Sequence, residues 1–323
     1  MRETRYVRAI NEALLEEMAR DESVFVVGED VGGAGGAFSA TRDLLQRFGE
    51  RRVRDTPISE AAIVGIATGA AMRGLRPVAE IMFSDFLTLS MDQIVNQLAK
   101  ARYMFGGMYR MPVVIRAACG GGLNAGPQHS QSLEAWFAHV PGLQVVMPAT
   151  PYDAKGLLKA AIRDDNPVLF LEHKALYALK GDIPEEEYLV PIGEGEVKRA
   201  GKDVTIVAAS RMVHHALEAA RALAGEGIDA EVMDLKTISP LDKGAVLRSV
   251  EKTSRLVVAH EAPKAFGMGA EVVAMVCEEL PGRLRAPPAR VGAPFVPVPF
   301  AKEKLYLPGA ADVIRAARSV MSP

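Results

Sequence analysis

Along this chain, short runs of β-branched and other apolar residues alternate with longer stretches in which apolar positions recur every three or four residues. The first kind reads as buried strands and the second as amphipathic helices. Strands are expected over 24–28, 77–83, 112–118, 143–148 and 168–172, with helices over 91–104 and 152–164. Thr150 before Pro151 marks a helix start. A threonine hydroxyl can accept from free first-turn amides, and proline's fixed φ suits the first helical position. Strands alternating with helices predict an α/β fold with a mostly parallel sheet.

The rhythm breaks over 175–202, where Gly, Pro and charge crowd together with little periodicity. Residues 181–202 are expected to be a linker between a domain over 1–180 and a second α/β domain over 203–323. In that second series strands are expected at 204–209, 230–235 and 255–260, and helices at 212–225, 243–252 and 310–321. The proline-studded stretch 285–308 between them reads as an ordered surface arm.

Composition narrows the function classes. The chain has 323 residues, 49% hydrophobic and 24% charged, with a formal net charge of −2. That length suits about two domains, and near-neutrality argues against nucleic acid or an anionic membrane surface as partner. The N-terminus MRETRYVRAINEALLEEM has no apolar core of the kind a secretory signal needs. The stretch 61–72 is too short and Gly-rich to span a bilayer. Cys119 and Cys277 lie far apart and lack metal-ligand spacing, so they are expected to be reduced and structural. A cytoplasmic protein is expected.

Several stretches carry candidate chemistry. DTPISEAAIVG (55–65) places Glu60 at the head of a run of small apolar residues. A carboxylate there is either a helix-end device, with Ser59 as the cap, or a working acid. GGGLNAGPQHSQS (120–132) follows a strand end, where open α/β sheets gather ligand sites, and ends on His129 among amide and hydroxyl groups. It is either a reactive imidazole or a polar loop residue. Met82 and Phe86, in EIMFSDF, are either core or flanks for a flat heterocycle. Asp164 and Asn166, in DDNP, suit a hard cation or an ordinary turn. There is no Walker A loop, G-x-S-x-G elbow or H-E-x-x-H.

Taken in order, DTPISEAAIVG, RPVAEIMFSDF, DQIVNQLAKARYMFGG, QHSQS, PGLQVVMPATPYDAKGLLKAAIRDDNPVLFLEHK and KTSRLVVAHEAP cover nearly the whole chain. Together they resemble the β subunit of the thiamine-diphosphate-dependent E1 component of 2-oxo acid dehydrogenase complexes. KARYMFGG, PISEAAIVG and RMVHHALEA look most like the acetoin dehydrogenase type, and pyruvate and branched-chain types share the other blocks. The resemblance implies a pyrimidine-binding domain followed by a transketolase C-terminal-like domain. It also implies an α2β2 heterotetramer holding the cofactor between α and β subunits, and acyl transfer to the lipoyl group of an E2 acyltransferase. Members of the wider class hold magnesium and diphosphate with a GDG motif and a downstream Asn. No GDG occurs here, and GED at 28–30 lacks the downstream partner, so the α subunit is expected to supply that end.

Residue by residue, the resemblance assigns Glu60 to N1′ of the aminopyrimidine, where a carboxyl group favours the imino tautomer that removes the thiazolium C2 proton. It assigns Met82 and Phe86 to the walls of that ring. It gives His129 proton transfer or guidance of the lipoyl arm. Val113, Ala161, Ile162, Asp164 and Asn166 match a potassium site built mostly of backbone carbonyls in relatives. Acetoin is the expected substrate, with pyruvate or a branched-chain oxo acid as alternatives. A split transketolase and a scaffold without chemistry are two further readings. QHSQS with PYDAKGLL argues against the former, and the presence of both Glu60 and His129 against the latter.

Overall fold

The apolar runs of the first half form parallel strands, because their residues are buried on both faces of one sheet. The computed structural model describes residues 1–321 and divides into two units. The first holds residues 1–119 and 136–192. Its elements are β1 (Arg2–Arg5), α1 (Tyr6–Arg20), β2 (Val24–Gly28), α2 (Leu44–Phe48), β3 (Val53–Asp55), α3 (Glu60–Met72) and β4 (Arg76–Ile81), then α4 (Ala99–Met104), β5 (Val114–Cys119), the end of α5 (Glu134–Ala138), whose first two residues belong to the second unit, β6 (Gln144–Val146), α6 (Pro151–Arg163), β7 (Val168–His173) and β8 (Lys180–Ile183). Six strands pair in the order β6-β7-β5-β4-β2-β3, all parallel. β1 and β8 form a separate antiparallel pair.

Helix α1 shows how sequence becomes packing. Tyr6, Ala9, Ile10, Ala13, Leu14 and Met18 recur at helical spacing and are all buried. Each large apolar side chain among them contributes about 1.5–3 kcal/mol by leaving water. The helix lies against α6, and its acidic stripe meets a basic one. Lys155 Nζ and Lys159 Nζ reach Glu16 at 2.6 and 2.7 Å, and Arg163 Nη2 reaches Glu17 at 2.6 Å. At the start of α6, the Thr150 hydroxyl accepts from the Asp153 amide at 3.1 Å, the cap expected from Thr-Pro.

The second unit holds residues 120–135 and those from 193 onward. It contains β9 (Glu196–Arg199), β10 (Val204–Ala208), α7 (Arg211–Ala224), β11 (Ala230–Asp234), β12 (Thr237–Ser239), α8 (Lys243–Thr253), β13 (Leu256–Pro263), α9 (Met268–Glu279), β14 (Ala289–Ala293), α10 (Glu303–Tyr306) and α11 (Ala310–Met321). Its sheet runs β14-β13-β10-β11-β9, parallel except for β9 at one edge.

Three details differ from the pattern read along the chain. Residues 181–202, expected as a linker, carry part of β8 and all of β9, short strands whose polar faces hide their periodicity. The expected helix over 91–104 winds as a π-type segment, Gln93–Leu98, followed by α4; apolar spacing does not separate those two windings. Ser59 does occupy the N-cap position of α3, but its side chain makes no capping bond. Among the described residues no helix is long and apolar enough to cross a membrane.

Candidate active site

Glu60 is the first residue of α3, and its side chain is only 6% exposed. The small residues behind it, AAIVGIATGA, let α3 lie close on β4 and on the 3₁₀ turn Ser84–Ser90. Among the described residues, none donates a hydrogen bond to the Glu60 carboxylate and none forms an ion pair with it. Its electrostatic neighbour is another acid, Glu29, which directly follows β2. Burial, and then the proximity of Glu60, raise the Glu29 carboxyl above the usual range. Two acids close together, one of them buried and unpaired, suit a ligand that brings its own hydrogen-bonding partner.

Met82 leaves the carboxyl end of β4, and Phe86 sits on the 3₁₀ turn that follows. Phe83 joins them to Phe38 through edge-to-face contacts, 5.8 Å to Phe86 and 5.9 Å to Phe38 between ring centres. The structure therefore gathers Glu60, Met82 and Phe86 around one helix, strand and turn. Beneath them lies a buried charge network. Arg116 on β5 donates from Nη1 to Glu80 at 2.6 Å, and from Nε and Nη2 to the two Glu172 oxygens at 2.7 and 2.9 Å. The Tyr177 hydroxyl donates to Glu172 at 2.9 Å. Burial pushes the Glu80 carboxyl above its usual range, although Arg116 opposes the shift. A cavity of about 10 Å³, lined by Glu80, Met82, Arg116, Glu172, Phe38 and Tyr177, offers room for one water-sized group.

His129 belongs to the second unit, at the far end of the glycine-rich loop, and is half-buried. The loop closes on itself, with the Gly120 amide donating to Gln131 O at 3.0 Å and the His129 amide to Gly126 O at 3.3 Å. One nearby carboxylate is strongly perturbed. The Glu134 carboxyl is pushed up to about 7, first by burial and then by Glu261.

The five residues matched to a cation site occupy one corner of the first unit. Ala161, Ile162, Asp164 and Asn166 lie at and just beyond the end of α6, where helix carbonyls lack intrahelical partners. Val113 is tied to the same corner, since its carbonyl accepts from the Val168 amide at 2.9 Å and the Met111 amide donates to Asp165 O at 2.9 Å. Arg76 Nη1 donates to both Ile162 O and Asp164 O at 3.0 Å, leaving each carbonyl a second lone pair. The Asp164 side chain accepts from the Asn166 amide at 2.7 Å, and Asn166 Oδ1 accepts from Arg102 at 2.5 Å. Among the described residues no cluster of three or more His, Cys, Asp or Glu is arranged to hold a metal ion.

Two groups escaped the sequence reading. Glu29 had one usable sign, an acid immediately after a buried strand. The Glu80–Arg116–Glu172 network had none, because each residue alternates with apolar neighbours and only the register β4-β5-β7 brings the three together.

Comparison with known proteins agrees with the two α/β units. Residues 2–180 match the family described as transketolase, pyrimidine binding domain, and residues 193–313 match transketolase, C-terminal domain. The chain is 52% identical to the acetoin:2,6-dichlorophenolindophenol oxidoreductase subunit beta of Cupriavidus necator, over 97% of this chain and 96% of that one. It is 47% identical to the 2-oxoisovalerate dehydrogenase subunit beta of Bacillus subtilis, over 98% of each. It is equally similar, 47% over 98% of each, to the pyruvate dehydrogenase E1 component subunit beta of the same organism. Among solved structures, a split gene transketolase described as an inactive beta4 tetramer superposes with a TM-score of 0.82 at 26% identity, over 98% of this chain and 97% of the other.

Proposed function

Because the chain belongs to the family of β subunits of thiamine-diphosphate-dependent E1 components, we propose that with an α subunit it cleaves acetoin. Acetaldehyde leaves, and the remaining two-carbon fragment passes as acetyl to the lipoyl group of an E2 partner, whose disulfide takes up the two electrons. The observation that carries this reading is the buried, unpaired Glu60 carboxylate beside Glu29. A carboxyl group so placed fits the N1′ side of an aminopyrimidine, whose ring nitrogen accepts the proton the carboxyl carries.

When bound, thiamine diphosphate supplies a carbon nucleophile and an electron sink. Glu60 holds the proton it shares with N1′. Met82 and Phe86 pack on the flat ring and exclude water from that proton. His129 exchanges a proton with the substrate oxygen. Magnesium and the diphosphate fall to the α subunit, since this chain has no GDG motif. The carbonyls of Val113, Ala161, Ile162, Asp164 and Asn166 take a structural potassium ion, a role suited to oxygen-only ligands at the end of α6. The assembly is an α2β2 heterotetramer in the cytoplasm.

Acetoin is favoured by the 52% relative that carries it in its name, and the two 47% relatives make pyruvate and 2-oxoisovalerate the second reading. Turnover of the co-expressed αβ complex on acetoin, pyruvate and 3-methyl-2-oxobutanoate, read as acylation of a lipoyl domain, separates them. Activity on an oxo acid but none on acetoin refutes the acetoin assignment. Silence on all three refutes the E1 role.

A further inference from the structure

We propose that Glu261 and Glu303 are positioning residues for His129, acting as a pair of carboxylate latches on the backbone of its loop. The inference rests on His129 taking part in turnover. The loop over 120–131 is rich in glycine, and Gly120, Gly122, Asn124 and Gly126 all take positive φ, at 78°, 104°, 53° and 79°. Such a segment loses much conformational entropy on ordering and has few side chains with which to hold itself. Two external acceptors compensate. The Gly121 amide donates to Glu261 Oε1 at 2.7 Å, and the Asn124 amide donates to Glu303 Oε2 at 2.7 Å.

Both carboxylates are placed where their bonds count. Glu303 is 1% exposed and Glu261 9%. Hydrogen bonds from backbone amides to ionised acceptors are among the stronger kind, and burial protects them from competing water. Arg211 Nη1 lies 3.6 Å from Glu261 Oε2, an ion pair on the oxygen that does not bond Gly121. The second Glu303 oxygen has no partner and is buried, so it lies against the loop for shape rather than for a bond. Contact is close: a Cβ on Gly121 would come within 2.8 Å of Leu307 Cδ2 and 2.9 Å of Glu303 Oε1. Gly126 similarly faces the Phe300 ring, its virtual Cβ 3.7 Å away. The loop is thus held at its first half by the carboxylates and closed at its second half by the Gly120–Gln131 bond, with His129 just before the closure. Neither acid lies in the loop, and neither is assigned to substrate or cofactor.

The test uses the assembled αβ complex with five variants: Glu303→Ala, Glu303→Gln, Gly121→Ala, His129→Ala and the double Glu303→Ala/His129→Ala. Acetyl transfer to a lipoyl domain gives kcat and KM, and amide hydrogen exchange reads the loop. Misplacing a working group costs about tenfold or more in rate. Glu303→Ala should therefore lower kcat about tenfold with little change in KM, and speed exchange at residues 121–126. Gly121→Ala should do the same by pushing the loop off Leu307. Glu303→Gln, whose amide oxygen still accepts from Asn124, should recover most of the rate. The double variant should be no slower than His129→Ala alone. Native kcat in Glu303→Ala, or losses that multiply in the double variant, would overturn the latch. If His129→Ala itself keeps native kcat, the role of His129 fails, and the latch then stands or falls on exchange alone: unchanged protection in Glu303→Ala overturns it.

Discussion

Replacing Arg116 with methionine tests the buried charge network directly. Arg116 is 2% exposed, and all three bonding nitrogens point at carboxylates whose side chains are 10% and 1% exposed. Removing it leaves Glu80 and Glu172 facing one another in the core without a counterion. Breaking a buried pair in this way costs about 3–5 kcal/mol, a large part of the roughly 5–15 kcal/mol that holds a typical domain together. For a unit of this size each kcal/mol shifts the melting temperature by about 2–4 °C, so a fall of about 10 °C is expected by scanning calorimetry. The deficit should also depend on pH. Burial already raises the Glu80 carboxyl, so its protonated form favours the fold. That contribution is full below the ordinary carboxylate pKa and is lost as pH rises through the raised folded value. Without Arg116 the deficit should therefore shrink as pH falls toward the ordinary glutamate pKa of about 4.3. Replacing Arg116, Glu80 and Glu172 together by apolar residues of similar volume should restore most of the loss. A variant that melts like the native chain, or a deficit indifferent to pH, would refute the reasoning.

Glu60→Gln in the αβ complex keeps the shape of the side chain but not its carboxyl, and should leave assembly intact while cutting turnover by about 100-fold or more; native turnover with bound cofactor would remove Glu60 from the chemistry. Glu134 carries a second pH signature: its carboxyl is pushed up to about 7, so the native chain should lose stability as pH rises from about 5 to 8, by an amount on the order of 3 kcal/mol, whereas Glu134→Gln should show a flatter profile in parallel melts. Gly36→Ala should destabilise by about 1–3 kcal/mol, because residue 36 has φ +77° and a Cβ would stand 2.8 Å from Glu80 Oε1. Gly33→Ala, where nothing lies within 4 Å, should be near neutral in the same urea titration, and equal losses in the two would dismiss the steric argument.

Much of the fold could be read before the structure, for a physical reason. A strand buried on both faces has to be apolar throughout, and VFVVG and VLFLEH announce themselves that way. Helix α1 was harder, since EALLEEMAR looks like a solvated charge run until Lys155, Lys159 and Arg163 of α6 come to meet it. Glu60, Met82 and Phe86 were legible as candidates because they flank a strand end and a helix start, the places where such folds build sites. What stayed hidden was pairing across the sequence: that Glu29 sits beside Glu60, that Arg116 bridges two strands, and that carboxylates near residues 261 and 303 take hold of amides near 121 and 124. Periodicity describes one element at a time, and each of these depends on register between elements far apart in the chain.

Residues 120–135 belong with the second unit although they lie deep within the stretch that encodes the first. A single cut near residue 193 would therefore not free a self-sufficient half. The carboxyl-terminal fragment would be left with buried acids at 261 and 303 facing no amides, and the amino-terminal fragment with a glycine-rich loop and nothing to grip it. Gene fusion or fission at that border carries a penalty invisible in a linear domain map. A ribosome, too, must pass residue 303 before the histidine loop can settle, so a loop encoded in the first half of the chain waits on residues encoded far downstream.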